Sequence, residues 1–203
     1  MYARVASFEQ NDTSRVDELL ATVSARAAAG QDIPDALRVL MLTDQAAGHM
    51  LGITLFETEE AVREAEPAFE RMGAEIPEDL RGRRTSVEVY EVAIDDTAAG
   101  AHAARVSVLE GASDSIDEGI GFIRQHIVPA ASDISGWRGI IGLVDRANGR
   151  SLTITFWDSQ ESLAASETWA DQARSEAAAA MAENITAVNR YEVALDRVLA
   201  PTT

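Results

Sequence analysis

The chain lacks cysteine and lysine altogether, and it has only three histidines among its 203 residues. Without cysteine it can form no disulfide, no thiolate nucleophile and no cysteine-ligated zinc or iron–sulfur site. Without lysine it can form no Schiff base and complete no phosphate-binding P-loop. The histidines, His49, His102 and His126, are scattered and do not have the spacing of a metal site. We therefore expect a protein without a metal or a cofactor.

Positive charge is scarce as well, and long apolar runs are absent. Seventeen arginines stand against 34 acidic residues, which gives a net charge of −17. This charge repels the phosphates of nucleic acids and the surface of anionic membranes. No segment approaches the roughly 18 consecutive apolar residues of a membrane-spanning helix, and the N-terminal residues lack the pattern of an export signal. The sequence therefore predicts a cytoplasmic protein that binds neither nucleic acid nor membranes.

What the sequence does contain is an internal repeat. Several short segments recur without a gap at a constant offset of 101 residues. The matching positions lie in 3–5 and 104–106, in 42–54 and 143–155, and in 90–93 and 191–194. A linker rich in small residues, 95–102, joins the two repeats. We assign the first repeat, called copy one, to residues 1–97, and the second, called copy two, to residues 102–200.

Each copy has the pattern strand, helix, strand, strand, helix, strand. The predicted strands are 2–8, 36–44, 49–56 and 87–95 in copy one, and 104–109, 137–145, 150–157 and 188–196 in copy two. Ser115 and Glu118 have the spacing of a capping box, and Thr58 and Ser159 are typical caps for the second helices. Such a βαββαβ unit is ferredoxin-like, an α+β arrangement in which a four-stranded antiparallel sheet carries both helices on one face.

The third strand of each copy has two different faces, because successive side chains point to opposite sides of a sheet. One face is wholly apolar and is predicted to lie under the helices. In copy one it comprises Leu51, Ile53 and Leu55. The other face is semi-apolar and suits a sheet-to-sheet interface or a pocket. It comprises Gly52, Thr54 and Phe56 in copy one, and Thr153, Thr155 and Trp157 in copy two. We therefore predict that the two copies close on each other as a fused, pseudo-dimeric α/β barrel.

Copy two resembles a known family of barrel domains. The segments that carry the resemblance are Arg105-Val106, Ile116-Asp117-Glu118-Gly119, Gly136-Trp137-Arg138-Gly139, Leu143-Val144-Asp145-Arg146, Trp157-Asp158-Ser159 and Arg190-Tyr191-Glu192-Val193-Ala194. They are similar to the dimeric α/β barrel domains grouped as antibiotic biosynthesis monooxygenase-like, and the resemblance extends over both copies. In that family two chains usually build the barrel. The resemblance therefore implies that this chain is a monomer with a pseudo-dimeric structure, or a homodimer.

The family includes cofactor-independent monooxygenases of polycyclic aromatic substrates, haem-degrading enzymes and members without known activity. The haem-degrading branch has a tryptophan at the end of the third strand, which Trp157 matches, and a haem-ligating histidine on the second helix. The predicted second helix of copy two, residues 160–183, contains no histidine, and neither does its counterpart in copy one. The resemblance therefore disfavours haem degradation. From the cofactor-independent monooxygenases, the resemblance implies only where a pocket lies, since no matching catalytic residues are identifiable in this sequence.

A ligand pocket is predicted to be built more by copy two, because its third strand offers more hydroxyls and a wider aromatic surface. The candidate ligand-binding residues are Trp157, Thr155, Thr153, Arg105, Ser107 and His126. Trp157 could stack on an aromatic ligand, and His126 could act as a general base. Core packing for Trp157 and an ordinary helix position for His126 are the structural alternatives.

Two cross-strand ion pairs are also expected if the first and last strands of each copy are neighbours. They join Arg4 to Glu91 and Arg105 to Glu192. Such a pair could orient a phenolate or enolate, but pairs of this kind more often have a structural role. Their presence in both copies favours the structural interpretation, since a fused barrel usually needs only one working site.

Three functions are compatible with the sequence. The chain binds a small apolar or aromatic molecule in the barrel; or it is a cofactor-independent monooxygenase of an aromatic, polyketide-like substrate; or it is a non-catalytic structural or interaction module. The monooxygenase would need only a base and a dry pocket, because the substrate's own anion supplies the electrons. Binding and structural roles are favoured over catalysis, since no catalytic set is identifiable.

Overall fold

Copy one folds as the predicted strand, helix, strand, strand, helix, strand unit. The computed structural model describes residues 1–10, 13–29, 33–111 and 113–199. The strands of copy one are β1 (Tyr2–Glu9), β2 (Ala36–Asp44), β3 (His49–Phe56) and β4 (Arg83–Thr97). Its helices are α1 (Val16–Ala29), α2 (Glu59–Glu75) and the single turn α3 (Glu78–Arg81).

Copy two repeats this order with its helices divided. Its strands are β5 (Ala103–Gly111), β6 (Trp137–Asp145), β7 (Arg150–Trp157) and β8 (Glu183–Val198). The first helical segment consists of α4 (Ile116–Phe122), a π-helical turn (Ile123–Ile127) and α5 (Val128–Ser132). The second consists of α6 (Gln160–Ala165) and α7 (Glu167–Ala180), which meet at Ser166. The division leaves the βαββαβ order intact.

The eight strands form a closed barrel in the order β1-β3-β2-β8-β5-β7-β6-β4. Within each copy the pairing is antiparallel, with β3 between β1 and β2, and β7 between β5 and β6. The chain divides into two compact units: the described residues of Met1–Tyr90 and Val193–Thr203 form one, and Glu91–Glu192 form the other. β4 and β8 therefore each begin in one unit and end in the other. The predicted fold, an α+β fused barrel of two ferredoxin-like repeats, is confirmed.

The faces of the third strands are the reverse of the prediction. Phe56 packs against Val62, Ala65 and Phe69 of α2, so the face that it shares with Gly52 and Thr54 lies under the helices. In copy two, Trp157 likewise packs against Leu163 of α6. The wholly apolar residues 51, 53 and 55 point to the opposite side of the sheet. The prediction failed because both faces are buried, so hydrophobicity alone could not distinguish them.

The second helices begin at the predicted caps, whereas the predicted capping box is wrong. Thr58 accepts a hydrogen bond from the Ala61 N–H at 3.1 Å, and Ser159 accepts one from the Ser162 N–H at 3.1 Å. The Ser115 side chain makes no capping hydrogen bond. Its backbone, at φ −100° and ψ 0°, continues the preceding 3-10 turn instead of adopting the extended conformation that capping requires.

Candidate functional site

A cavity of about 1060 Å³ lies in the first compact unit, between the sheet and the helices of copy one. Leu19 and Val23 of α1 and Phe69 and Met72 of α2 line it from the helix side. The strand side is lined by Ala6, Phe8, Val39, Met41, Met50, Gly52 and Thr54. The cavity therefore has a largely apolar wall formed by both helices and three strands.

Gly52 keeps the floor of this cavity open. It lies in the middle of β3, on the face that carries Thr54 and points toward the helices. A Cβ atom added at Gly52 would meet only the ring of Phe8, at 3.8 Å, which is an ordinary van der Waals contact. The missing side chain therefore leaves space that a larger residue could occupy without strain.

The corresponding region of copy two is almost filled. Its cavity measures about 40 Å³, although it has the same place between strands and helices. At the 101-residue offset, Thr153 replaces Gly52, and Trp169, which lines the small cavity, replaces Ala68. Ile123 and Ile127 of the π-helical turn also line it.

The prediction that copy two builds the larger pocket is therefore wrong. It considered only hydroxyl and aromatic groups on β7, whereas the free volume also depends on the bulk of the residues on the helices above that strand. Trp169 lines the small cavity of copy two at the position of Ala68, while the cavity in copy one stays open above Gly52.

The six predicted site residues fall into three places. Arg105, Ser107, Thr153 and Thr155 come together around the 40 Å³ cavity. Trp157 does not line this cavity but adjoins it: its ring is fully buried, meets Trp137 edge-on at 5.4 Å between centroids, and lies 5.8 Å from the guanidinium carbon of Arg105. Its indole N–H donates to the Thr155 hydroxyl at 3.3 Å. His126 is exposed on the π-helical turn, 4.9 Å from the ring of Phe122. The binding roles of all six stay predictions.

Arg4 is paired with a helix residue and not with Glu91. Its Nε and Nη2 donate to the two carboxylate oxygens of Glu66 at 2.8 and 2.9 Å, and its guanidinium carbon lies 3.9 Å from the centroid of the Phe69 ring. Arg4 is only 4% exposed. The hydrogen bonds from Arg4 lower the pKa of the Glu66 carboxyl. Glu91 instead accepts a hydrogen bond from Arg146 at 3.0 Å. This predicted pair is wrong because Arg4 points toward α2.

Arg105 has the equivalent partner in copy two. Its Nη2 donates to Glu167 at 3.1 Å and to the Leu163 carbonyl at 2.8 Å. Burial lowers the pKa of the Arg105 guanidinium, and Glu167 only partly opposes this effect. The predicted Glu192 partner is wrong for the same geometric reason as in copy one. Glu66 and Glu167 are themselves 101 residues apart, so a comparison of the predicted helices could have found this pair.

Charged residues also line the cavity of copy one. Six of them are arginines, Arg4, Arg26, Arg81, Arg83, Arg84 and Arg197, and two are glutamates, Glu70 and Glu78. Basic residues thus outnumber acidic ones in the cavity lining, whereas in the whole chain acidic residues outnumber basic ones 34 to 17. The site therefore combines an apolar wall with a locally positive lining.

No protein-family model matches the chain. Residues of this chain are 32% identical over 91 positions to the uncharacterised protein Rv2557 of Mycobacterium tuberculosis, and 36% identical over 63 positions to Rv2558 of the same organism. The matches cover 45% and 31% of this chain. They span only 40% and 27% of the length of those relatives.

Solved structures match nearly the whole chain. An anthrone oxidase-like protein superposes with a TM-score of 0.67 at 14% identity, covering 98% of this chain and 93% of the other. A ferredoxin-fold protein related to antibiotic biosynthesis monooxygenases, from Listeria monocytogenes, gives a TM-score of 0.55 at 12% identity, with 94% of both chains covered. The chain has this fold. A heme-degrading enzyme from Listeria monocytogenes shares it, with a TM-score of 0.56, 12% identity and coverage of 95% and 99%. At these identities the likeness concerns the fold alone.

In the described part of the chain, no helix combines the length and the apolar character needed to cross a membrane.

Proposed function

We propose that this protein binds a small apolar or aromatic molecule in the cavity of copy one. The observation that carries the proposal is the volume of about 1060 Å³ behind a mostly apolar wall. Pockets for small molecules typically measure about 300–1000 Å³ and are lined mainly by apolar side chains with a few polar groups. The cavity of copy one fits this description.

The second copy supplies an internal comparison. Its counterpart measures about 40 Å³, little more than the roughly 30 Å³ that one water molecule occupies in the liquid. The fold can therefore be packed tightly in this place, and an open cavity is not an inevitable result of stacking two helices on the sheet. A small apolar molecule in this cavity would remove apolar surface of the lining from water, which favours binding.

The proposal is tested by filling the cavity from its floor. Gly52→Val adds a branched side chain that suits a strand and that points into the cavity. We expect it to weaken binding of the neutral fluorescent probe N-phenyl-1-naphthylamine at least tenfold, without lowering the melting temperature. Thr153→Val is the matched control, since it changes the equivalent strand position in copy two and leaves the cavity of copy one untouched.

Either of two results would contradict the proposal. One is that the wild-type protein neither binds the probe nor gains thermal stability from it, which would favour the structural or interaction module. The other is that Gly52→Val and Thr153→Val affect the probe equally, which would place binding elsewhere.

Turnover is a separate question that the anthrone oxidase-like structural neighbour raises. Cofactor-independent oxidation of an aromatic anion would use the same cavity. Oxygen uptake by the purified protein with anthrone, measured with an oxygen electrode and compared between wild type and Gly52→Val, tests it. Uptake that the variant abolishes would support the monooxygenase. Probe binding without uptake would support binding alone.

A further inference from the structure

The arginines of the copy-one cavity differ in how far their charge is already neutralised. Four have carboxylate partners: Arg4 with Glu66, Arg26 with Glu75, Arg83 with Glu9 and Arg84 with Glu70. The distances are 2.8, 2.8, 2.5 and 2.8 Å. Each of these arginines belongs to an ion pair, so its contribution to the field in the cavity is largely cancelled.

Arg81 has a structural task. Its Nε donates to the carbonyls of Gly73 and Ile76 at 2.9 and 3.2 Å, which satisfies carbonyl groups where α2 ends. The nearest carboxylate, that of Glu78, is 4.0 Å away. Its donors are thus largely engaged by the backbone, although its charge is only weakly compensated.

Arg197 is different. It lines the cavity near the end of β8 and is half-buried, and its side chain has no hydrogen-bond or ion-pair partner among residues 1–10, 13–29, 33–111 and 113–199. Its neighbour in sequence, Asp196, is already engaged by Arg38, whose Nη2 lies 2.8 Å from that carboxylate. A half-buried arginine whose donors are not used by the described residues, beside a cavity with a largely apolar wall, favours an anionic acceptor.

We infer that the molecule bound in the copy-one cavity is an amphipathic anion, with an apolar body against Phe69 and Met72 and a carboxylate that accepts hydrogen bonds from Arg197. This inference rests on the proposed function and narrows its ligand class. The charge of −17 repels anions in general. Attraction of an anion to this cavity therefore depends on Arg197, the lining arginine that has no carboxylate partner among the described residues.

Two fluorescent ligands with the same three-ring body test the inference: anthracene-9-carboxylate, which is charged at pH 7, and 9-anthracenemethanol, which is neutral. We expect the wild-type protein to bind the carboxylate at least about tenfold more tightly, as one charge-assisted hydrogen bond allows. Arg197→Gln should abolish this preference by weakening carboxylate binding while leaving binding of the alcohol unchanged. Arg197→Lys should retain part of it, because the charge is kept.

Arg71→Gln is the matched control. Arg71 is an exposed arginine of α2 that does not line the cavity, so its removal changes the net charge by the same amount without touching the site. We expect this variant to keep the wild-type preference. Equal affinity of the wild-type protein for the two ligands would overturn the inference while leaving the proposed function standing, and so would equal effects of Arg197→Gln and Arg71→Gln. Failure of both ligands to bind would instead refute the proposed function.

Discussion

The carboxylate of Glu167 on α7 is expected to make a large electrostatic contribution to stability. Three arginines surround it: Arg105 and Arg174 at 3.1 Å each, and Arg190 at 2.7 Å. Burial raises the pKa of Glu167, but the hydrogen bonds from Arg190, Arg174 and Arg105 outweigh that effect and lower the pKa to about 2. The folded protein thus favours the ionised form of this carboxyl.

The size of this contribution follows from the pKa difference between the two states. A carboxyl whose pKa falls from about 4.3 in the unfolded chain to about 2 in the folded one stabilises the fold by about 3 kcal/mol at neutral pH. The Glu167 side chain is 28% exposed, so screening by water reduces the expected value to about 2 kcal/mol. Because the folded-state pKa is lowered, this stability is present above about pH 4.3 and is lost as the pH falls toward 2.

Glu167→Gln removes the charge with little change in shape. We expect it to lower the free energy of unfolding by about 2 kcal/mol at pH 7, and this difference to shrink to about a third of that value at pH 2.5. Urea unfolding followed by circular dichroism from pH 7 to pH 2.5 measures both. Glu64→Gln, at an exposed position of α2, should change the free energy by less than about 0.5 kcal/mol. A difference between wild type and Glu167→Gln that stays constant down to pH 2.5 would refute the electrostatic explanation.

Two further predictions concern packing and backbone. Gly139→Ala should lower the free energy of unfolding by at least about 3 kcal/mol, because Gly139 has φ +118° and a Cβ there would lie 2.1 Å from the Asp96 carbonyl oxygen. Gly121→Ala is the control, since a Cβ at Gly121 would have nothing within 4 Å. We expect this control to be neutral or slightly stabilising in a thermal melt. Trp157→Ala should lower the free energy of unfolding by about 3–5 kcal/mol, since the ring is fully buried against Leu163. It should leave N-phenyl-1-naphthylamine binding in copy one unchanged, and loss of probe binding in a folded variant would show that Trp157 contributes to that site.

The elements of this fold were predictable because their signals are local. The alternation in each third strand and the caps Thr58 and Ser159 act over a few residues, and the 101-residue repeat allowed each copy to support the interpretation of the other. Ser115 is the exception. Whether a serine caps a helix depends on its own backbone conformation, and the 3-10 turn before α4 holds Ser115 outside the extended region.

The orientation of the third strands could not be predicted from polarity. Phe56 and Ile53 lie on opposite faces of β3, and both are completely buried. A strand that is covered on both sides gives no solvent-exposed face to serve as a reference. The prediction also treated the hydroxyl of Thr54 as a sign of exposure to a pocket away from the helices, whereas Thr54 lies beside the cavity on the helix side.

The candidate site depends on residues that are distant in sequence, which explains why its place was missed. Whether the space above a third strand is open depends on Gly52 or Thr153 below and on the helix residues above, including Trp169. The lining arginines come from β1, α1, α3, β4 and β8, and they form no motif in the sequence. The pairing of Arg4 with Glu66 could have been predicted from the sequence, because both residues recur 101 residues later as Arg105 and Glu167.

In a barrel assembled from two identical polypeptides, every mutation enters both halves at once, and a pocket can be widened only by weakening the protein twice. The covalent joint between β4 and β5 removes that coupling. A substitution in one half then leaves the other half unchanged, so that copy two can carry the bulky Trp169 where copy one has Ala68. The two repeats of one chain can therefore differ in sequence at equivalent positions, and the cavity of about 1060 Å³ in copy one against about 40 Å³ in copy two is such a difference.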